Sequence, residues 1–357
     1  MNDAANLVGN MFHWRNSVRS LLLGGQPLLP IVQPSSPFHG YVKGDPCPPA
    51  LRVVVRALLR ESFRLGNHSA PLSDPLLDVT GTYYGLYQSN APRPRVSVLI
   101  PVRGAHKHLA LCLRRLGAHS PGLADVVIAC AEAERDIVES IVASWIEGDV
   151  RVVTSPEPQG YPANVNLARR HARGDVLVLL NSDSFVTAGW LGGLMSALAH
   201  DGVVAAGPTF QAQPKNFDPT AANADRRIDA MAAAVGGGRM ERVRRLVGFC
   251  MAIKASAFDA VGGICEDFGI GNWDDDDLSL RLSLIGDLVA TPSVKVIHPA
   301  SQSFRELPQW ETTYNRLLAE NEKLYHARWG WILPDWAKWL DGRDVAPAQH
   351  NIFHVEE

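Results

Sequence analysis

The alternation of polar and apolar residues changes character near residue 95. Before it, prolines and turn residues interrupt most apolar stretches. One helix stands out there, Pro49 to Phe63, with Leu51, Val54, Val55, Leu58 and Leu59 on one side and arginines between them. Asn90-Ala91-Pro92-Arg93-Pro94 reads as a linker. Beyond it, short apolar runs alternate with helical periodicity. Val96–Ile100 predicts a buried strand ended by Pro101, Leu109–Leu116 a helix, and Val126–Cys130 a second strand. Asp136–Trp145 predicts a helix, Val150–Val153 a third strand, Ala163–Ala172 a helix and Val176–Leu180 a wholly apolar strand. This order predicts an α/β fold, with a Rossmann-like, mostly parallel central sheet flanked by helices. Ligands of such sheets bind beyond the carboxyl ends of the strands, so the residues that follow strands carry the chemistry.

Three such places are informative. Pro101-Val102-Arg103-Gly104 turns the chain after the first strand. Asn181-Ser182-Asp183 follows the most apolar strand. A carboxylate there reaches a divalent cation held between two phosphates, although these three residue types also simply favour turns. His298 follows Val294-Lys295-Val296-Ile297, where a histidine is either satisfied locally or joins a metal site.

The densest signal is Gly271-Asn272-Trp273-Asp274-Asp275-Asp276-Asp277-Leu278. Four adjacent carboxylates repel one another, and an apolar helical pattern follows at Leu278, Leu282 and Ile285. Helix capping and a favourable charge near the helix start account for one or two of the acids, not four. The cluster can act as a general base, orient a hydroxyl or hold a metal.

Composition narrows the classes. A chain of 357 residues with 46% hydrophobic and 20% charged residues has material for one large or two medium globular domains. A net charge of −3 gives no electrostatic footprint for nucleic acid. Cys47, Cys112, Cys130, Cys250 and Cys265 are scattered and odd in number, as expected of reduced thiols in a cytoplasmic protein. Abundant arginine and alanine suggest a GC-rich bacterial source. No apolar run reaches the length of a membrane span. Leu21–Val32 is broken by Gly24, Gly25, Pro27 and Pro30, and the N-terminus lacks the layout of a secretory signal. Met11–Leu23 is read either as a helix docked on the protein itself or as a peripheral membrane contact. No Walker A, HExxH, paired-cysteine zinc or dinucleotide fingerprint occurs, and no internal repeat.

Taken in order, these segments resemble the family 2 glycosyltransferases of the GT-A fold, over roughly residues 95 to 330. The resemblance runs through Ser97-Val98-Leu99-Ile100-Pro101-Val102, Gly160-Tyr161-Pro162-Ala163-Asn164-Val165-Asn166, Arg173-Gly174-Asp175 and Leu179-Leu180-Asn181-Ser182-Asp183. It continues through Gly248–Ile253, Phe258–Gly263, Glu266-Asp267-Phe268 and Trp273–Arg281, then His298 with Ser301–Ser303. Glu320–Leu324 and Arg328-Trp329-Gly330 resemble the family's C-terminal helix.

The resemblance implies transfer of a sugar from a nucleotide diphosphate donor, with inversion. It implies a donor site at Pro101, Val102, Arg103, Glu132, Asn166, Asn181, Ser182 and Asp183. Asn181 stands in place of the usual first acid of the metal-binding motif, and Asp183 with His298 would hold Mg2+ or Mn2+. Asp275 matches the general base and Asp274 the acid beside it; Trp273 and Asp274 would face the acceptor. Asp277 is also a helix-start residue that Arg281 can pair with one turn on. The second strand lacks the family's acidic pair in register, with Glu132 or Glu134 left to substitute for it, so UDP-, GDP- and dTDP-sugars all stay open as donors, with UDP first.

The implied division is an N-terminal extension over 1–93, a catalytic domain over 94–304 and a C-terminal helical segment over 305–357. The extension is left with three roles: acceptor contacts, a homodimer surface or packing. Residues 208–245, with Gln211, Lys215, Asn216, Asp225, Arg226, Arg227 and a Gly236-Gly237-Gly238 hinge, read as an acceptor-side loop or as a solvated helix face. The acceptor is a small molecule, a peptide or a lipid-linked precursor. Two other functions remain: a metal-dependent phosphohydrolase or nucleotidyltransferase using the same carboxylates, and a non-catalytic sugar-nucleotide-binding protein.

Overall fold

The computed structural model describes residues 95–120, 123, 125–144, 149–209, 217–234, 238–283, 285–299, 302–306 and 309–329. The helix expected at Pro49–Phe63, the linker, Met11–Leu23, Cys47 and the extension as a whole lie outside them.

In chain order the elements are β1 (Val96–Pro101), α1 (His106–His119), β2 (Asp125–Ala131), α2 (Arg135–Val142), β3 (Asp149–Ser155), α3 (Tyr161–His171), β4 (Val176–Leu180) and β5 (Phe185–Val186). There follow α4 (Trp190–Leu198), β6 (Val203–Pro208), α5 (Ala224–Ala234), β7 (Glu241–Val243), β8 (Cys250–Lys254) and α6 (Ala255–Ala260). The described chain closes with α7 (Asp274–Ser283), β9 (Asp287–Thr291), β10 (Val296–Ile297), α8 (Gln302–Arg305) and α9 (Trp310–Trp329).

Among the described residues, eight strands form one sheet in the order β3-β2-β1-β4-β8-β6-β9-β7. The strands β3, β2, β1 and β4 run parallel; β2, β1 and β4 are buried and largely apolar, as strands covered on both faces must be, while β3 is the half-buried edge. The strand β8 runs antiparallel to β4, with Leu180 opposite Cys250. The carboxyl end of β4 and the start of β8 therefore meet at one edge of the sheet. The α/β class and the mostly parallel sheet are those expected from the sequence.

Alternation along the strands divides the core. Leu99, Val127, Leu177 and Leu179 face one side with Phe258 of α6, Leu278 and Leu282 of α7, and Tyr325 and Trp329 of α9. Val98, Ile100, Val126, Val178 and Leu180 face the other with Leu109, Cys112 and Leu116 of α1 and Trp190 of α4. Each fully buried aliphatic or aromatic side chain contributes about 1.5–3 kcal/mol. The last residue of α9, Trp329, is fully buried, so this helix packs into that core.

Two expectations change. The strand predicted over Val294–Ile297 shrinks to the two residues of β10, which leave the main sheet and pair antiparallel with β5. The stretch 208–245 is not one mobile loop. Its helix α5 is docked on α1 by Arg114–Asp225 at 2.8 Å and by buried Arg115 to Asp229 at 2.6 Å, and Arg227 lies over the Phe217 ring. Gln211, Lys215, Asn216, Gly236 and Gly237 lie outside the described residues. No helix among the described residues is long and apolar enough to cross a membrane.

Candidate active site

The pairing of β5 with β10 delivers His298 to the end of β4. Its Nε2 lies 3.1 Å from Asp183 Oδ1 and 3.3 Å from the Asn181 amide nitrogen. The Phe249 ring stacks on the imidazole, centroids 5.0 Å apart and planes within 5°. The backbone N–H of Gln302, at the start of α8, donates to Asp183 Oδ2 at 3.3 Å. Burial pushes the Asp183 carboxyl up, but the His298 ring, by its charge and its hydrogen bond, and the Gln302 N–H outweigh it. The group sits below the ordinary carboxylate range. Ser182 is buried beside it.

The donor set suits a hard or borderline divalent cation. It offers one carboxylate, one imidazole and the Asn181 Oδ1, which is buried and has no hydrogen-bond partner among the described residues. No third His, Cys, Asp or Glu among the described residues joins Asp183 and His298. A divalent cation held there would need its remaining oxygen ligands from outside these side chains.

The acidic run divides into separate tasks. Asp277 is fully buried, paired with Arg281 at 2.5 Å, and accepts from Trp329 Nε1 at 2.8 Å. Arg281 completes its bonds on the carbonyls of Val261 and Gly263, both at 2.7 Å. Asp276 pairs with Arg245 at 2.8 Å. Asp275 has no such cation; its carboxylate accepts the Gly248 N–H at 3.0 Å and the Asp276 N–H at 3.1 Å. Asp274 is buried, and burial together with the Asp275 charge pushes its carboxyl well above the ordinary range.

The run is delivered by a contorted loop. Gly269, Gly271, Asn272 and Trp273 all have positive φ. For Asn272 and Trp273 that conformation costs about 1–2 kcal/mol each. A Cβ at Gly160 would lie 1.9 Å from the Gly269 carbonyl oxygen, so only glycine lets α3 begin this close to the loop. Tyr161 closes the other side, its hydroxyl donating to the Gly248 carbonyl at 2.8 Å.

Gly248 and Phe249 join the two halves. Gly248 holds Asp275, while the Phe249 carbonyl accepts the Asn181 N–H at 2.9 Å and the Ser184 hydroxyl at 3.1 Å. One dipeptide thus ties the acid run to the Asn181–Asp183–His298 cluster at a single edge of the sheet.

Residues 97–262 match the sequence model of Glycosyl transferase family 2. Over those residues the chain is similar to the family 2 glycosyltransferases. It is 25% identical over 282 residues to the O-antigen biosynthesis protein RfbC of Myxococcus xanthus, a match that covers 72% of this chain and 21% of that protein. It is 26% identical over 256 residues to protein y4gI of Sinorhizobium fredii, covering 62% and 26%. The chain therefore spans about a quarter or less of the length of these curated relatives. Among solved structures it is similar to the mannosyltransferase PcManGT of Pyrobaculum calidifontis in complex with GDP-Man and Mn2+ (TM-score 0.47, 17% identity, 84% of this chain and 88% of that one). It is also similar to S. aureus TarS 1-349 (TM-score 0.43, 11% identity, 67% and 72%).

Two of the residues expected at the donor site, Glu132 and Asn166, make hydrogen bonds within the protein. The Glu132 carboxylate is held by Arg135 at 2.9 Å and by the Thr154 hydroxyl. Glu134 instead reaches the turn after β1, accepting the Gly104 N–H at 2.6 Å and lying 3.0 Å from His106 Nε2. The 3-10 turn Glu132–Glu134 swings the later acid inward. Asn166 spends its amide on the Ile264 N–H and carbonyl and on Glu266. Pro101 and Val102 are buried at the end of β1, and the Val102 N–H is taken by the Ala129 carbonyl at 2.8 Å. Arg103 is half-buried in the turn. Trp273 is half-buried, its ring tilted against Tyr325 with centroids 5.2 Å apart.

Sequence reasoning missed Phe249 as the platform for His298, and Asn321 of α9, whose amide reaches the contorted loop. A signal for the second existed: Asn321, Tyr325, Arg328 and Trp329 recur at helical spacing, so a lone amide shares the buried stripe.

Proposed function

We propose that this chain transfers a glycosyl group from a nucleotide diphosphate sugar to a hydroxyl or similar nucleophile of an acceptor, with inversion at the anomeric carbon. The observation that carries this reading is the junction at Gly248-Phe249, which sets Asp275 and the Asn181–Asp183–His298 cluster on one edge of the sheet. Among the described residues Asp275 and Asp274 are the two acids of the run without an arginine partner; Asp275, oriented by the Gly248 N–H, takes the acceptor proton as the oxygen attacks. Asp274, pushed toward its protonated form, serves as a hydrogen-bond donor to the acceptor rather than as a second base. Trp273 lies directly before both and forms the wall on the acceptor side.

Asp183, His298 and the Asn181 amide oxygen would hold the divalent cation, Mg2+ or Mn2+. Bound there, it supplies neutralisation of the charge on the leaving diphosphate. The turn after β1 lines the nucleoside side, with Glu134 replacing Glu132 in that role. UDP-sugars are the first donors to test, before GDP- and dTDP-sugars. The name of the Myxococcus relative, an O-antigen biosynthesis protein, supports a saccharide as the first acceptor class to test.

Melting of the full chain against UDP, GDP and dTDP and their sugars, with and without Mn2+, tests the reading. A ligand that binds the folded state alone raises the melting temperature by mass action. A cation-dependent shift with one nucleotide, and a nucleoside diphosphate plus a glycosylated acceptor as products, are expected. A nucleoside monophosphate with sugar phosphate as products would show a phosphohydrolase instead.

A further inference from the structure

The helix α9 reaches the acid run at two points. Trp329 holds Asp277 inside the helix, and Asn321 holds the loop before it. The Asn321 amide nitrogen lies 2.9 Å from the Phe268 carbonyl, 2.8 Å from that of Gly271 and 3.0 Å from that of Asn272. These carbonyls converge because the backbone between them runs through positive φ at Gly269, Gly271, Asn272 and Trp273. Facing carbonyl dipoles repel, and an amide N–H2 placed among them replaces that repulsion with hydrogen bonds. Asn321 is itself buried, so the loop keeps this shape without help from water. The same residues set the start of α7, where the Asp277 N–H donates to the Trp273 carbonyl at 3.0 Å. Asp274 and Asp275 follow Trp273 without an intervening residue, so their direction is fixed by the φ and ψ of the loop.

We propose that Asn321 is a positioning residue for transfer: by locking the left-handed loop before α7, it aims Asp274 and Asp275 at the acceptor. The proposal rests on the reading of Asp275 as the base. A misaim of about 1 Å at a reacting group is enough to cost on the order of 100-fold in rate. The loss falls on kcat rather than on donor binding, because the hydrogen bonds of Asp183 with His298 and Gln302 do not involve the loop that Asn321 holds.

The test uses the full chain with Asn321→Ala and Asn321→Asp, and with Arg316→Ala as a control on the exposed face of the same helix. Amide hydrogen exchange is followed over residues 266–277, melting is measured with UDP and Mn2+, and nucleoside diphosphate release is timed with the donor–acceptor pair the parent turns over. For Asn321→Ala we expect exchange in that segment to quicken by about tenfold or more, with the rest of the sheet unchanged. We expect kcat to fall by about tenfold or more at a donor KM and a UDP–Mn2+ shift within about twofold of the parent. Asn321→Asp, which puts an acceptor oxygen among three carbonyls, should lose more. Unchanged exchange over 266–277 overturns the proposal whatever the rate does. So does a kcat within about twofold of the parent, and so does a uniform loss of protection and UDP binding across the sheet. Asp275→Asn separates the two readings. If it turns over like the parent, the base assignment fails, and the exchange data still decide whether Asn321 shapes the loop.

Discussion

Gly248 gives its backbone N–H to Asp275 at 3.0 Å, and a side chain at residue 248 would meet the Asp275 Cβ at 3.3 Å. The contact orients the carboxylate without neutralising it, whereas Asp276 and Asp277 each face an arginine. This division sets one oriented carboxylate in a supporting frame made from a repulsive run of four acids.

Asp275→Asn should therefore abolish transfer while sparing the donor site. The amide oxygen keeps the Gly248 N–H while the new NH2 gives up the Asp276 N–H, so one of the two orienting bonds survives and the basic function is lost. We expect a fall of about 100-fold or more in turnover, with the Mn2+-dependent nucleotide shift in melting retained. Product analysis beside a melting curve checks both halves.

Asp183→Ala should erase the Mn2+-dependent melting shift altogether, since it removes the carboxylate of the cluster. His298→Ala should weaken cation affinity by at least about tenfold and leave the nucleotide's metal-free shift as it was. Titration of Mn2+ at fixed UDP reads the difference. Equal cation dependence in parent and both variants would place the metal elsewhere.

Asp274 gives stability a definite slope with pH. Its folded pKa is raised above the unfolded carboxylate value of 3.8, so between the two values the folded state holds the extra proton. Stability from this group is complete below 3.8 and is lost as pH rises through the raised folded pKa. Asp274→Asn should flatten that decline. Urea unfolding across the acid-to-neutral range measures it, and an unaltered slope would mean that Asp274 ionises in place.

Arg281→Met should be costly for a different reason. It strands Asp277 in the core and removes the donors for the Val261 and Gly263 carbonyls. Breaking one side of such a pair costs about 3–5 kcal/mol, and changing Asp277→Leu as well should recover part of it. Denaturant midpoints of the single and double variants decide.

The parallel half of the sheet was legible because strands covered on both faces must be apolar throughout; Val176–Leu180 is found with the bounds its sequence predicts. Arg281 was legible as the partner of Asp277 because they lie one helical turn apart. What escaped depended on features with no local period. A short 3-10 turn decides which of Glu132 and Glu134 swings inward, and neither residue's neighbours betray it. Asn166 looks like a donor contact by its place near the start of α3, but its amide is consumed by a loop about 100 residues later in the chain. His298 reaches Asp183 through a two-residue ribbon too short to be read as a sheet.

Trp329 lies at the end of the described chain and yet at the centre of the core, bonded to Asp277. The order of synthesis gives this a meaning. When the ribosome has made the sheet and the acid run, the buried face of α7 still lacks its cover, and Asp277 lacks the indole that holds it. The nascent domain must wait, with apolar surface exposed, until α9 has left the exit tunnel. A chain cut between α8 and α9 keeps every residue proposed here to touch substrate or cation, but lacks the frame that seats them.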